Sequence, residues 1–251
     1  KTRAYNVFSP AERDQSPQAG CGGRISVAED LESVVVIESD NATAWARGVR
    51  RAVRRAIMFR PGVMVVHDDV LLDEEETGVQ NWTSLRPWQS DGRNRCLSRR
   101  GNATVRLHGI LPHIPKLVTG EDSVSDERQG IVPVYRAAFI SPASKRHELL
   151  TIIEAIMPND TQSPTLKSLD DGGVELRQGS DILRVFAAPK NAATSAKFGF
   201  TTDGVLLFVM TRADQPMTAG AFDATWLKGP ELSISGDGFV HWRAASENKE
   251  P

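Results

Sequence analysis

The sequence is poor in cysteine and has no long apolar run. Its 251 residues include two cysteines, Cys21 and Cys96, which could form one disulfide in an oxidising compartment, although two residues do not establish a bridge. No apolar stretch approaches the length of a membrane-spanning helix, so we expect no membrane partner. No signal peptide is visible, and because the first residue is Lys1 rather than Met we expect a processed chain or a piece of a longer one.

Motifs of common enzyme classes are also absent. The sequence has no Gly-rich phosphate loop, no HExxH, no paired CxxC and no G-x-S-x-G, so none of these chemistries is indicated. The net charge of -2 and the pI near 6.3 give no reason to expect nucleic acid as a partner. A hydrophobic content of 40% is enough for a sizeable core, in one large β domain or in two smaller ones.

The rest of the chain is organised around residues 32–72, which contain three extended segments at 33–39, 49–59 and 63–72. The middle segment also has apolar residues at helical spacing, so taken alone it fits a helix as well as a strand. Its neighbours are short β-branched runs, and the Pro61-Gly62 link has the length of a turn in an antiparallel hairpin. The middle segment is therefore predicted to be a strand between two others.

Charge is concentrated in the same stretch. Arginines crowd the middle segment and carboxylates crowd the next one. The residues concerned are Arg47, Arg50, Arg51, Arg54, Arg55 and Arg60, followed by Asp68, Asp69, Asp73, Glu74, Glu75 and Glu76. One interpretation is cross-strand pairing followed by a solvated acidic turn; the other is that some of these arginines face an acidic polymer.

The remaining sequence predicts more strands and no clear helix. These strands are predicted at residues 4–8, 24–28, 79–85, 104–110, 131–140, 148–157, 166–169, 173–178, 182–187, 197–201, 205–212, 231–234 and 239–243. Residues 90–101 are predicted to be a loop, and the polar segment 117–130 an exposed loop or internal boundary that separates residues 1–116 from residues 117–251. Strands at this spacing indicate an all-β, antiparallel sandwich of large sheets.

A metal site is one hypothesis for His67, Asp68 and Asp69. Adjacent strand residues point to opposite faces, so at most His67 and Asp69 could bind one metal ion together. The alternative is a buried Asp69 that pairs with an arginine. No cofactor is predicted, and zinc has no clear ligand set in this sequence.

Several segments resemble the heparinase II/III-like polysaccharide lyases. The resemblance lies in VVVIESDNATA followed by Trp45, in RRAIMFRPGVMVVHDDV at 54–70 and in ELLTIIEAIMP at 148–158, and it covers about residues 2–158. It implies a β supersandwich that packs against an α/α toroid, and cleavage of uronate-containing polysaccharides by β-elimination. Tyrosine and histidine usually serve as acid and base in such lyases. Only the sandwich portion is recognised here, so a toroid domain or chain is an implied partner.

The resemblance also implies a catalytic position near the N-terminus. Family members have a His-Asn-Thr-like turn, and here Tyr5 stands in the place of the histidine and is followed by Asn6. A downstream glutamine, Gln15 or Gln18, takes the family's glutamine position. Tyr5 and Asn6 are therefore the catalytic candidates and Gln15 a substrate-binding candidate, with an edge-strand aromatic as the alternative for Tyr5.

Aromatic residues provide a second set of candidates. In NWTSLRPW, Trp82 and Trp88 could stack on sugar rings while Arg86 pairs with a carboxylate. The alternative for Trp82 is a place in the core.

Two functions follow as hypotheses. The chain is the β portion of a polysaccharide lyase that binds an acidic polysaccharide, or it is a non-catalytic carbohydrate-binding or structural sandwich that has lost the catalytic residues. The substrate class implies a periplasmic or secreted protein.

Overall fold

Two large antiparallel sheets make up the chain, and they confirm the predicted all-β, sandwich-like fold class. The computed structural model describes residues 6–11, 13–15, 22–45, 47–59, 62–112, 115–126, 130–157, 164–169, 173–187, 199–230 and 232–244. These ranges include a short 3-10 turn, Ala42–Ala44, and within them no helix is long and apolar enough to cross a membrane.

The strands of the described residues are numbered in chain order. They are β1 (Phe8–Pro10), β2 (Arg24–Asp30), β3 (Val34–Asp40), β4 (Val49–Phe59), β5 (Val63–Ser84), β6 (Trp88–Ser90), β7 (Arg95–Arg100), β8 (Ala103–Leu111), β9 (Lys116–Asp126), β10 (Gly130–Ile156), β11 (Thr165–Ser168), β12 (Gly173–Gln178), β13 (Asp181–Ala187), β14 (Thr201–Thr202), β15 (Leu206–Arg212), β16 (Gln215–Gly229) and β17 (Leu232–Arg243). The predicted strand over 49–59 is confirmed, so the neighbouring β-branched runs were the better guide than the helical spacing.

The chain divides into two compact units. The first comprises Lys1–Glu29 and Val35–Asp160, and the second Asp30–Val34 and Thr161–Pro251. The boundary proposed between 116 and 117 lies at the start of β9, within the first unit. In the first sheet the main strand order is β2-β3-β4-β5-β10-β8-β7-β6, with β1 paired to β5 and β9 to β10. In the second the order is β11-β12-β13-β15-β16-β14, with β17 paired to β16.

Several predicted loops are strands, because backbone pairing continues where the hydrophobic pattern stops. The acidic residues 73–76 were predicted as a turn but lie within β5, where Arg50 pairs with Asp73 (2.5 Å) and Arg13 with Glu76 (2.8 Å). The segment 117–130 is largely β9, a polar strand that pairs with β10 over eleven positions. The predicted loop 90–101 contains β7, whose Cys96 is buried.

One strand was missed in the second unit. Residues 215–229 form β16, which pairs with β14, β15 and β17. Its inner positions are small because the neighbouring rings are large: a Cβ added at Gly220 would lie 2.6 Å from the ring of Phe208. Alanines and glycines carry little hydrophobic signal, which explains why the sequence pattern did not indicate this strand.

Strands β5 and β10 form the long central ladder of the first unit, and this ladder bends sharply near its middle. Between Ser141 and Arg146 the register shifts twice, opposite residues 71–78 of β5. As a result Gln80 reaches back to Asp68, twelve residues earlier on the same strand, with Nε2 2.7 Å from Oδ2. The Thr151 hydroxyl also donates to Gln80 Oε1. The fold of the ladder thus gathers polar groups from distant parts of β5 and β10.

Gly78 lies at this corner and has no room for a side chain. A Cβ there would approach the buried Nδ1 of His147 at 2.5 Å and Ser141 Oγ at 2.6 Å, and those two atoms are themselves hydrogen-bonded at 2.7 Å. We expect Gly78→Ala to lower the free energy of unfolding by about 1–3 kcal/mol, measured by urea denaturation. Gly120→Ala is the matched control, since nothing lies within 4 Å of its added Cβ; equal stability of the two variants would contradict the corner packing.

The core of the first unit contains Cys96 as a free thiol. It packs with Trp82, Leu107 and Phe139, and burial raises its pKa to about 12. Cys96 therefore carries no disulfide, and Cys21 lies outside the described residues. The second unit has its own core, on which Trp242 packs with its ring centroid 6.0 Å from that of Phe200.

Candidate functional site

A pocket of about 220 Å³ opens on one face of strands β3, β4 and β5, beside the segment that leads into β1. Its polar lining combines neutral amides with one ion pair, and its apolar lining comes from the strands and the 3-10 turn. The lining residues are Asn6, Val7, Phe8, Gln15, Ser39, Asn41, Trp45, Ala52, Arg54, Asp68 and Val70. Two predicted site residues, Asn6 and Gln15, therefore line the same cavity.

The floor of the pocket is held by the Arg54–Asp68 pair. These residues face each other across β4 and β5, and the pair is bidentate, with Nε to Oδ1 at 2.6 Å and Nη2 to Oδ2 at 2.7 Å. Burial opposes the charge of Arg54, but Asp68 outweighs it, so the pKa of Arg54 is raised. The guanidinium also lies over the ring of Trp82, 5.4 Å from its centroid. Gln80 donates to the same Oδ2 of Asp68, so the floor is held by side chains at four strand positions, Arg54, Asp68, Gln80 and Trp82.

Arg54 also positions Asn6. Its Nη1 donates to the backbone carbonyl of Asn6 at 2.5 Å. The side chain of Asn6 is oriented by Thr83, whose backbone N–H (2.6 Å) and hydroxyl (3.0 Å) both donate to Oδ1. Because a backbone N–H can only donate, it identifies the atom it meets as the amide oxygen. The amide nitrogen of Asn6, a donor that these bonds do not use, is thereby directed away from Thr83.

The other face of the same strands carries a second polar cluster. Arg55 is fully buried and donates to Glu38 at 2.7 Å. Asp69 is buried and accepts from Arg51 at 2.9 Å, with Arg55 and Arg146 within 4 Å. Of the two interpretations of the arginine-rich strand, the structure therefore favours cross-strand pairing, as it does for Asp69.

His67 lies in this cluster and is poorly suited to bind a metal. Arg55 Nη1 is 3.4 Å from its Nδ1, and Asp69, the only partner that the sequence suggested, already contacts arginines. Cations around both groups disfavour a further cation. Within the described residues no group of three or more His, Cys, Asp or Glu side chains is arranged to hold a metal ion.

His67 makes the stability of the protein sensitive to acid. Burial, reinforced by the charge of Arg55, lowers its pKa from 6.5 to about 3. Between these two values the unfolded chain binds a proton that the folded chain does not, so folding weakens as the pH falls from about 6.5 to 3, by up to about 1.4 kcal/mol per pH unit.

We expect His67→Gln to show a shallower loss of unfolding free energy than the wild type between pH 6 and pH 4. Denaturation at several pH values measures this slope. The matched control is His241→Gln, which makes the same substitution at an exposed position. Parallel slopes for wild type and His67→Gln would contradict a neutral, buried His67.

The aromatic candidates are not among the residues that line the pocket. Trp82 is 5% exposed and packs in the core beneath Arg54, which favours the core alternative over sugar stacking. Trp88 is half-buried, and its indole N–H donates to the carbonyl of Tyr135 at 3.1 Å. Arg86 is exposed in the turn after β5. Tyr5 and Gln18 lie outside the described residues.

Sequence reasoning missed several residues of the pocket. It grouped Arg54 and Asp68 with the other charges but gave neither of them a place in a site, and it did not select Ser39, Asn41 or Trp45 for one. The Arg54–Asp68 pair could have been found from the sequence, because the two residues lie at equal distances along the chain from the β4–β5 turn and therefore face each other in the hairpin. For Asn41 the signal was weaker, because a polar residue at the end of a strand is common in turns.

No family model matches this sequence, and no curated protein matches it. Among solved structures, the chain is similar to the heparan sulfate lyase HepC from Pedobacter heparinus, with a TM-score of 0.55 and 10% identity over 86% of this chain and 30% of that one. It is also similar to a heparinase III gene product, with a TM-score of 0.57 and 7% identity over 97% of this chain and 30% of that one.

A further heparinase III structure gives a TM-score of 0.51 and 10% identity, over 95% of this chain and 29% of that one. At these identities the likeness establishes a shared fold. The chain spans about 30% of the length of the lyases that it matches.

Proposed function

We propose that this chain is the β portion of a polysaccharide lyase that cleaves uronate-containing acidic polysaccharides by β-elimination. The observation that carries the proposal is the shared fold with heparan sulfate lyases over most of this chain. The pocket beside β3–β5 supports it, because it is lined by side-chain amides and by the Arg54–Asp68 pair, and this pair holds Asn6 through its backbone carbonyl.

The chemistry assigns a distinct role to each group. β-Elimination needs a donor that neutralises the uronate carboxylate, a base that removes the C5 proton and an acid that protonates the leaving oxygen. Asn6 is the proposed donor, since its carbonyl is fixed on Thr83 and its nitrogen remains for the carboxylate. Tyr5, its neighbour in sequence, is the proposed proton-transfer residue.

Further residues are proposed to bind the substrate beside the catalytic pair, Tyr5 and Asn6. Gln15 lines the same pocket as Asn6 and is proposed to bind the sugar bound there. Arg86 and Trp88 are proposed to contact a neighbouring portion of the polymer, because Arg86 is exposed and Trp88 keeps some of its ring accessible. For Trp82 the burial supports an indirect role, as the surface on which the guanidinium of Arg54 rests.

A complete cleft needs a second wall that excludes water and orients the uronate. We propose that an α/α toroid, on the same or another chain, supplies this wall. The substrate class supports a periplasmic or secreted location, and the proposed mechanism uses no cofactor.

The alternative is a non-catalytic carbohydrate-binding sandwich. The observation that favours it is the composition of the pocket: among its described lining residues, the ionisable ones are Arg54 and Asp68, and these are committed to each other. On this alternative the amides bind sugar, and no group removes the C5 proton.

The test is the ultraviolet absorbance of unsaturated uronate after incubation with heparan sulfate, chondroitin sulfate, hyaluronan or alginate. Both this chain and the full reading frame that encodes it are assayed, together with Tyr5→Phe. Product that is lost in Tyr5→Phe supports the lyase. Binding without product in either form supports the non-catalytic alternative, and neither binding nor product overturns both.

A further inference from the structure

We infer that the outer face of strands β6, β7 and β8 is a second binding surface, which holds an acidic polysaccharide outside the pocket. The segment 85–111 carries six arginines and one carboxylate, Asp91, in a chain whose net charge is -2. This basic surface is defined here by Arg95, Arg99 and Arg106 on the strands, together with the exposed Arg86, Arg93 and Arg100 at the strand ends and in the turns.

Strand alternation places three of the arginines, Arg95, Arg99 and Arg106, on one side. Cys96 and Ser98 of β7 are buried, so Arg95 and Arg99 project from the opposite face. In the β7–β8 ladder Leu97 lies opposite Arg106, which brings Arg106 to the same face, between the two. Arg95 and Arg99 are about 13 Å apart along the strand, a separation that suits an extended chain of charges better than a single small anion.

The charge on this surface is largely uncompensated, in contrast to that of β4. In β4, Arg50, Arg51, Arg54 and Arg55 all pair with carboxylates at 2.5–2.9 Å. On the basic surface, Arg106 pairs with Glu154 at 3.0 Å and Arg95 approaches Asp91 at 3.9 Å.

The other four arginines are Arg86, Arg93, Arg99 and Arg100. All four are exposed, and none makes an ion pair with a carboxylate of the described residues. Like charges gathered without counter-charges attract an anionic polymer from solution.

The chemistry of the surface favours a polysaccharide over a nucleic acid. Guanidinium groups bind carboxylates and sulfates through paired hydrogen bonds. Single-stranded nucleic acids are held by aromatic side chains on which bases stack. The one aromatic residue among Phe, Trp and Tyr in 86–111 is Trp88, and its indole N–H is bonded to Tyr135. The identity of the polymer rests on the proposed function, whereas the existence of the surface rests on its charge.

The test measures equilibrium binding of a heparan sulfate oligosaccharide at several salt concentrations. For Arg95→Gln/Arg99→Gln, which lie on the same face of β7, we expect about tenfold weaker binding at low salt, and a slope of log affinity against log salt that is reduced by about two. The matched control is Arg177→Gln/Arg212→Gln, which removes the same charge from exposed arginines that pair with Glu175 and Asp181. Its affinity should stay within about twofold of the wild type.

An equal loss in both double variants would show that the effect comes from net charge alone and would overturn the proposal, as would unchanged binding by Arg95→Gln/Arg99→Gln. Tighter binding of a single-stranded oligonucleotide of equal charge would overturn the choice of polymer. Because the readout is binding and not product, an inactive protein that binds through Arg95 and Arg99 would refute the lyase and leave this surface in place.

Discussion

Replacing Arg55 by alanine is expected to lower the free energy of unfolding by about 3–5 kcal/mol. The side chain is fully buried and bonded to Glu38, whose side chain is 15% exposed. Removing the guanidinium leaves the Glu38 carboxylate with little solvent to replace its partner, and leaves Asp69 without one of its neighbouring cations. It also leaves a cavity under β3 and β5, which adds to the cost.

Chemical denaturation measures this effect. Arg177→Ala is the control, because Arg177 is half-exposed and its contact with Glu175 is long, at 3.6 Å; it should change stability by less than about 1 kcal/mol. The double variant Arg55→Met/Glu38→Met removes both charges and should recover a large share of the loss. A loss below about 1 kcal/mol in Arg55→Ala would contradict a buried, structurally essential pair.

The second large effect is expected in activity. Asn6→Asp keeps an oxygen that can accept both bonds from Thr83, but it replaces the amide donor by a negative charge. If Asn6 neutralises the uronate carboxylate, this variant should lower kcat/KM for β-elimination by about 10²–10³-fold, the range for loss of one positioned donor. Initial rates of unsaturated product over a range of polymer concentrations provide the measurement.

Stability separates this role from a structural one. Asn6→Asp should unfold at nearly the wild-type denaturant concentration, since the contacts with Thr83 and Arg54 are retained. The control Gln215→Glu makes the same amide-to-carboxylate change at an exposed position of β16 in the second unit. Full activity in Asn6→Asp, or an equal loss in Gln215→Glu, would remove Asn6 from the mechanism.

Local sequence was sufficient for strands that carry their own hydrophobic signal. The runs 34–37 and 63–66 are β-branched and bounded by breakers, and they are strands because such side chains pack on a pleated surface. The hydrophobic pattern does not predict strands that are extended only because a neighbouring strand pairs with their backbone. Polar residues of β9 and small residues of β16 are extended because β10 and β15 supply backbone partners.

In the candidate site, too, some features could be predicted from local sequence and others depend on distant parts of the chain. Its Asn6 and Gln15 were selected from a family resemblance, and the concentration of Arg54 and Asp68 in neighbouring segments indicated charge pairing. What local sequence could not supply is the fold of the β5–β10 ladder, which brings Gln80 to Asp68. Contacts of this kind depend on register shifts at a corner, and residues twelve apart on one strand give no periodic sign of them.

The central claim is that the pocket beside β3–β5 binds the acidic sugar. Nuclear magnetic resonance of the side-chain amides during titration with a uronate oligosaccharide tests it directly. We predict saturable shifts for Asn6 and Asn41, which line the pocket, and none for Gln215, which begins β16 of the second unit and belongs neither to the pocket nor to the basic surface. Binding that leaves the Asn6 and Asn41 amides unchanged would contradict the account and place the sugar elsewhere on the protein.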